Sequence, residues 1–552
     1  MTGLLEITIG EALREQAAKR GDKEFMVFPN RNVRLTFGDM YRKSGELAKG
    51  LLACGFKKGG HIGIWANNTP EWAPVFYAAA RIGMITVPIN INCRQQEIGF
   101  IIAHADIHAL FMIGKFRDTD LVETLGEVIP ELKSAGAGKL NSAQFPSLAM
   151  VTVFGAIPHQ GIHRLEELIN RGKALDDEVL QAAEAKVSAA DAAVIMYTSG
   201  TTGFPKGAIL THRNLINNGY FAIHDKQDAM GAGDVIFNPL PFFYITSLTG
   251  AIVEPLIWGF KIVIQESFDI LRYLQIIQDE ACTWLYAVPA MYAAMISHPK
   301  FGEFNLEKVS YGCIGGAMCP PELLRTVMAQ FHLKGLYIGY GLTEASPFIT
   351  DIIVSDPADH RLGTVGVPLA GVEVSIRDPN THTECPVNTE GEICARGHNT
   401  MRGYYKNEAA SREAIDQAGW LHTGDLGHLL PGGCLVIDGR IKEMIIRSGE
   451  KVYPKEVENL LLAMPGVQDA QVAGMPSDKY GEEVGAFIIR KPGEIISEND
   501  VLAFCGGKIS RYKIPSYVFF MESYPLSGNG KVQKFKLCEA GLKQIKERGA
   551  LP

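Results

Sequence analysis

Apolar residues in this chain fall into short continuous runs that alternate with stretches of wider, helical spacing. His61–Ala66, Met84–Ile89 and Ala109–Ile113 read as strands, and Met40–Ala53 and Pro74–Arg81 as helices. Thr36, just before Phe37-Gly38-Asp39, is placed to cap the helix that carries Leu47, Leu51 and Leu52. The alternation predicts α/β units with largely parallel sheets. Val235–Val253 carries no charge, but Asn238, Pro239, Pro241, Ser247 and Gly250 interrupt it. It reads as a buried strand, loop and helix, and no membrane span is expected.

After Gly363 the rhythm changes to short strands punctuated at Pro368, Gly371, Pro379 and Pro386. Beyond Arg440, Glu456–Met464 and Glu498–Phe504 read as helices, and Ala470–Gly474 and Val484–Ile489 as strands. The expected fold is α/β: a large N-terminal domain over residues 1–440, with a β-rich subdomain at about 363–440. A small α+β domain over residues 441–552 follows it.

A chain of 552 residues is too long for one hydrophobic core, which agrees with that division. Its 47% hydrophobic and 21% charged residues are ordinary for a soluble globular protein. A net charge of −8 argues against nucleic acid as the main partner, because backbone binding needs a basic face. Residues 508–548 run against this balance with nine Lys or Arg and three Glu. They read either as a solvated basic face or as a lid for phosphates. Ten cysteines lie scattered with no CxxC pair or His-linked spacing, which gives no support for zinc or a disulfide framework. With an N-terminus that lacks a signal pattern, the expected location is cytoplasmic. Self-association into a homodimer is left open.

The densest chemistry lies in Tyr197-Thr198-Ser199-Gly200-Thr201-Thr202-Gly203-Phe204-Pro205-Lys206-Gly207. Glycines let the backbone turn its N–H groups toward an anion, the hydroxyls of Thr198, Ser199, Thr201 and Thr202 add donors, and Lys206 adds positive charge. A Walker A loop needs Gly before the lysine and Ser or Thr after it, whereas Pro205 and Gly207 stand there. The loop therefore looks built to grip and release pyrophosphate.

Further strings follow in order. Gly315-Gly316-Ala317 offers glycines that admit a flat base, and Tyr340-Gly341-Leu342-Thr343-Glu344 offers an aromatic face, a hydroxyl donor and a hard carboxylate for Mg²⁺. Glu344 reads equally as a helix N-terminal carboxylate. Gly391-Glu392, Gly403-Tyr404, His422-Thr423-Gly424-Asp425 and Gly439-Arg440-Ile441-Lys442 come next. Two acceptor oxygens on Asp425 suit a cis-diol.

These motifs, in this order, resemble the adenylate-forming superfamily that contains acyl-CoA synthetases, luciferases and peptide-synthetase adenylation domains. The resemblance implies that Asp425 and Arg440 meet the ribose of ATP and that Thr343, Glu344 and Lys206 serve the phosphates and Mg²⁺. It implies a hinge at Lys442 for a mobile C-terminal domain, and a CoA-facing loop at Ser448-Gly449-Glu450-Lys451-Val452-Tyr453-Pro454, with Gly449 admitting the pantetheine. Pro525-Leu526-Ser527-Gly528-Asn529-Gly530-Lys531 matches the catalytic lysine motif, so Lys531 is expected between the attacking carboxylate and the α-phosphate.

One position departs from the pattern. Where many relatives carry His beside the acyl pocket, Pro241-Phe242-Phe243 leads to Tyr244, which is bulkier and carries no positive charge at neutral pH. Gly316, Gly341 and Trp284 complete the expected pocket lining, and Trp284 reads equally as core. Phe504-Cys505, Lys508-Ile509-Ser510 and Gln533-Lys534-Phe535-Lys536 are similar to medium-chain acyl-CoA synthetases of the family-member-2 type. The implied partners are a medium-chain or compact cyclic carboxylic acid, ATP and CoA. Two alternatives stay open: an enzyme that passes the acyl-adenylate to another acceptor, and a non-catalytic nucleotide sensor.

Overall fold

The computed structural model describes residues 3–133, 140–155, 161–198, 205–224, 229–231, 233–316, 319–447, 450–477, 479–526 and 532–547. Contacts divide the chain into two compact units, Met1–Val374 with Ala395–Leu421 and Ser375–Cys394 with His422–Pro552.

Two large sheets form the first unit. The nine-stranded sheet runs in the order Val367–Pro368, Phe348–Val354, Gly335–Gly341, Tyr311–Ile314, Trp284–Ala287, Val235–Asn238, Lys261–Ile264, Glu24–Phe28 and Val33–Thr36. Its centre is parallel, as in Trp284 opposite Tyr311 and Tyr311 opposite Gly335, and its edges are antiparallel. The seven-stranded sheet runs Lys206–Thr211, Ala192–Thr198, Ile85–Pro88, His61–Trp65, Ile107–Ile113, Met150–Phe154 and His163–Arg164. Helices between the parallel strands bury both faces, which is why the central strands read as unbroken apolar runs.

Local signals in the sequence take effect where expected. Thr36 Oγ1 accepts the Asp39 N–H at 3.0 Å while the Asp39 carboxylate accepts the Thr36 N–H at 3.2 Å. This capping box starts the helix Phe37–Ala53, one turn before its apolar spacing becomes visible. Trp72, Phe76 and Tyr77 on the helix Trp72–Arg81 are fully buried, and each such side chain contributes roughly 1.5–3 kcal/mol. The uncharged stretch after Val235 becomes the strand Val235–Asn238, a turn, and a helical run whose Leu248–Val253 portion is π-helical. Among the described residues no helix is long and apolar enough to cross a membrane.

The second unit is α+β. Val467–Ser477 and Gly481–Arg490 pair antiparallel, with Ser477 opposite Gly481, and Tyr517–Phe520 joins the latter in parallel. Ile445–Arg447 and Glu450–Val452 complete the five-stranded sheet. The helices Pro454–Leu462, Glu498–Cys505 and Lys534–Glu547 accompany it, burying Val457, Leu461, Val501 and Leu537. A further sheet runs Val372–Arg377, Gly391–Gly397, Leu421–Leu429 and Leu435–Arg440, which accounts for the strand-rich reading after Gly363.

Candidate active site

The two ends of the glycine-rich loop are held by strand pairing. Thr198 lies opposite Lys206 across the antiparallel pair, and Thr198 Oγ1 donates to the Lys206 carbonyl at 3.4 Å. Ser199, Gly200, Thr201, Thr202 and Gly203 lie outside the described residues. Residues 402–405 run alongside the Lys206–Thr211 strand through Arg402 N–H to Ile209 O, Ile209 N–H to Gly403 O and Tyr405 N–H to Gly207 O, each 2.8–2.9 Å. That pairing brings the Tyr404 ring beside Lys206, whose Nζ sits 5.1 Å from the ring centroid.

The Tyr404 hydroxyl donates to Glu344 Oε1 at 2.7 Å. Burial, together with the neighbouring Glu344 carboxylate, pushes the Tyr404 phenol well above its ordinary range, so it remains a neutral donor. Lys206, Tyr404 and Glu344 thus form one chain of cation, aromatic hydroxyl and buried carboxylate. The Gly403-Tyr404 string alone assigns the tyrosine no task, because its partner Glu344 lies 60 positions away.

Glu344 is fixed from below by polar groups that no periodic pattern reveals. It lies on the single turn Thr343–Ala345, after the strand Gly335–Gly341, and is 9% exposed. The chain folds back so tightly that a Cβ on Gly341 would lie 1.8 Å from the Pro347 carbonyl oxygen, which only glycine permits. Thr249, on the π-helical segment, donates to Ser346 O at 2.9 Å, and Ser346 Oγ donates to Asn399 O at 2.8 Å. Asn399 and Asn218 each donate to Phe348 O at 2.8 Å, and the Phe348 N–H returns to Asn218 Oδ1 at 3.1 Å. Each bond contributes about 1 kcal/mol, and a buried group left without its partner costs about 1–3 kcal/mol, so the turn is held in one arrangement.

The other expected residues of this unit are placed as follows. Gly316 closes the strand Tyr311–Ile314 at φ +78, in the left-handed region that favours glycine; Ala317 lies outside the described residues. Tyr340 is half-buried opposite Thr350. The Tyr244 hydroxyl accepts a hydrogen bond from Asn90 Nδ2 at 3.4 Å, and its ring packs edge-on against Phe243. Trp284 is fully buried and stacked on Tyr311 at 4.8 Å. Its side chain has no exposed surface and packs in the large buried cluster of this unit.

In the second unit, Asp425 and Arg440 face each other across the antiparallel strands, and Arg440 Nε lies 2.9 Å from Asp425 Oδ1. Asp425 is buried while Arg440 is half-exposed. The preceding turn is anchored by Thr423 Oγ1 donating to Ile393 O at 2.6 Å and by the Gly424 N–H donating to Glu392 Oε1 at 3.1 Å. Lys442 is exposed on the turn Ile441–Glu443. Gly449 and Lys531 lie outside the described residues, although the positions flanking them are paired: Arg447 with Glu450, and Leu526 with Val532. Part of the basic stretch is neutralised within the unit, Lys513 on Glu456 and Lys534 on both Glu443 and Glu458.

Family models and relatives agree with these motifs. The AMP-binding enzyme model matches residues 13–405, and the AMP-binding enzyme C-terminal domain model matches residues 456–531. YngI of Bacillus subtilis (strain 168), which carries an acyl-CoA synthetase name, is 37% identical over 98% of both chains. The mitochondrial medium-chain acyl-CoA ligase ACSF2 of Danio rerio is 34% identical over 98% of this chain and 89% of its own length. The fold matches that of the anthranilate CoA ligase AuaEII in complex with anthranoyl-AMP, with a TM-score of 0.85 at 23% identity over 98% of each chain. The chain belongs to the AMP-binding enzyme family and is an AMP-forming acid–thiol ligase.

Proposed function

We propose that this chain is an acyl-CoA ligase that activates a medium-chain or compact cyclic carboxylic acid with ATP, through an acyl-adenylate, and passes the acyl group to CoA. The observation that carries the reading is the contact chain Lys206–Tyr404–Glu344 beside the glycine-rich loop. In the first half-reaction a carboxylate oxygen attacks the α-phosphorus of ATP and pyrophosphate leaves. Lys206 and the loop hold the departing β- and γ-phosphates in line, and Asp425 with Arg440 orients the ribose. The Lys531 ammonium offsets the repulsion between the two anions and stabilises charge that develops as they meet. A buried, oxygen-donating carboxylate such as Glu344 fits a hard cation, and Mg²⁺ held there supplies neutralising charge to the phosphates. In the second half-reaction the CoA thiol attacks the acyl carbonyl and AMP leaves.

An anhydride is exchanged for another and then for a thioester, so the reaction runs in both directions. The medium-chain class is supported by the ACSF2 relatives, and Tyr244 sets the shape of the acid site through its bulk and its hydroxyl. Ten free thiols support work in the reducing cytoplasm.

A panel of straight-chain and cyclic acids tests the reading, with CoA-dependent AMP release and ATP–pyrophosphate exchange measured side by side. Both signals are expected with a medium-chain or compact cyclic acid. Exchange without CoA dependence would instead make this an adenylate-forming enzyme with another acceptor, and silence with every acid would make it a nucleotide sensor.

A further inference from the structure

The strand Gly391–Gly397 carries Glu392 and Cys394 two residues apart, hence on one face, and the neighbouring strand begins Leu421-His422. His422 Nδ1 lies 2.8 Å from Glu392 Oε2 and 3.5 Å from Cys394 Sγ. His382 joins them from the loop between the strands Val372–Arg377 and Gly391–Gly397, its ring 5.3 Å from that of His422. One ligand atom each from His382, Glu392 and His422 lie within 4.8 Å of one another.

We propose that these three residues form a binding site for a zinc-class divalent cation, separate from the expected Mg²⁺ position at Glu344. Two imidazole nitrogens and one carboxylate oxygen are a donor set that zinc takes in tetrahedral form with one position left over. The geometry is largely preset. His422 and Glu392 sit on paired strands, while His382 is held by a tight turn in which its N–H donates to Asp378 O at 2.9 Å and the Asp378 N–H donates to Thr383 O at 2.9 Å. His382 is exposed, which gives the cation a way in, whereas Glu392 is buried. Spacings of ten and thirty residues match no zinc motif, so only the sheet brings the set together.

Glu392 has two oxygens with different duties. Oε1 holds the Gly424 N–H, and Oε2 faces His422. A cation on Oε2 therefore leaves the turn before Asp425 intact and ties it to a second anchor.

The experiment uses the full chain, stripped with a chelator and titrated with Zn²⁺ by calorimetry, with thermal melting in parallel. Wild type should bind one Zn²⁺ tightly and melt at a higher temperature when loaded. His382→Asn, chosen because Asn tolerates the left-handed backbone at φ 57, should weaken the binding by at least about tenfold and remove the thermal shift. Glu392→Gln should do the same. Co²⁺ loading gives a second readout: intense visible bands of a tetrahedral site in wild type, lost in His382→Asn. No stoichiometric binding, or binding of equal strength in His382→Asn, would overturn the proposal. Because binding is measured without acid, ATP or CoA, its outcome is independent of the ligase reading.

Discussion

Glu344 in the first unit and Asp425 in the second are both buried carboxylates, yet they are held by opposite kinds of partner. Glu344 receives a neutral hydroxyl from Tyr404, so the pair retains a full negative charge. Asp425 receives the Arg440 guanidinium across a strand ladder, so that pair is neutral as a whole. A retained charge suits an incoming cation, and a neutralised carboxylate with acceptor oxygens suits a neutral diol. Under the proposed function, the same side-chain chemistry would serve the metal at Glu344 and the ribose at Asp425, with the partner of each carboxylate setting its net charge.

The largest effect is expected from Glu344→Gln, which keeps the shape and the acceptor for Tyr404 but removes the charge. Acyl-adenylate formation should slow by roughly 10²–10³, with little change in melting temperature. A variant that retained full rate would break the assignment of charge to this position.

The first unit also contains a buried group that must stay uncharged. His212 is fully buried, accepts the Ile9 N–H at 3.2 Å, and burial lowers its pKa from 6.5 to about 4. Its neutral form is favoured by folding, so its contribution is intact above pH 6.5 and is lost as pH falls toward 4. The loss amounts to about 3 kcal/mol, visible as a falling melting temperature that is flatter in His212→Gln.

Asp425→Asn should act through binding more than through chemistry. Losing a charge-assisted acceptor costs about 1.5–3 kcal/mol, so the KM for ATP should rise at least tenfold while kcat changes less. A pure loss of kcat would contradict the ribose role. Tyr404→Phe removes one hydrogen bond to the Glu344 carboxylate, worth about 1.5–3 kcal/mol, so kcat/KM should fall by at least about tenfold.

Much of this arrangement was legible in the chain itself. The Thr36 cap, the apolar runs at His61 and Ala109, and the uncharged stretch after Val235 each reported local structure, because capping and burial act over a few residues. The motif residues Lys206, Glu344, Asp425 and Arg440 stood out as chemistry for the same reason. What holds them did not. Asn218 and Phe348 are 130 positions apart, and Tyr404 and Glu344 are 60 apart, so no local window contains either pair. The second unit also draws Ser375–Cys394 back to the strands after His422, a non-contiguous grouping that only sheet pairing creates. Trp284 carries two readings, pocket lining and core, and it packs fully buried against Tyr311.

The proposed function requires that ATP be cut at the α-phosphate and that the acyl group be carried as its adenylate. A single-turnover reaction tests it, with the enzyme in excess over ATP, Mg²⁺ and the best acid of the panel present, and CoA withheld until a second mixing step. Pyrophosphate and an enzyme-bound acyl-adenylate are expected before CoA, and conversion of that adenylate to acyl-CoA and AMP after it. ADP and phosphate as products, or thioester formed with no adenylate preceding it, would overturn the proposed function.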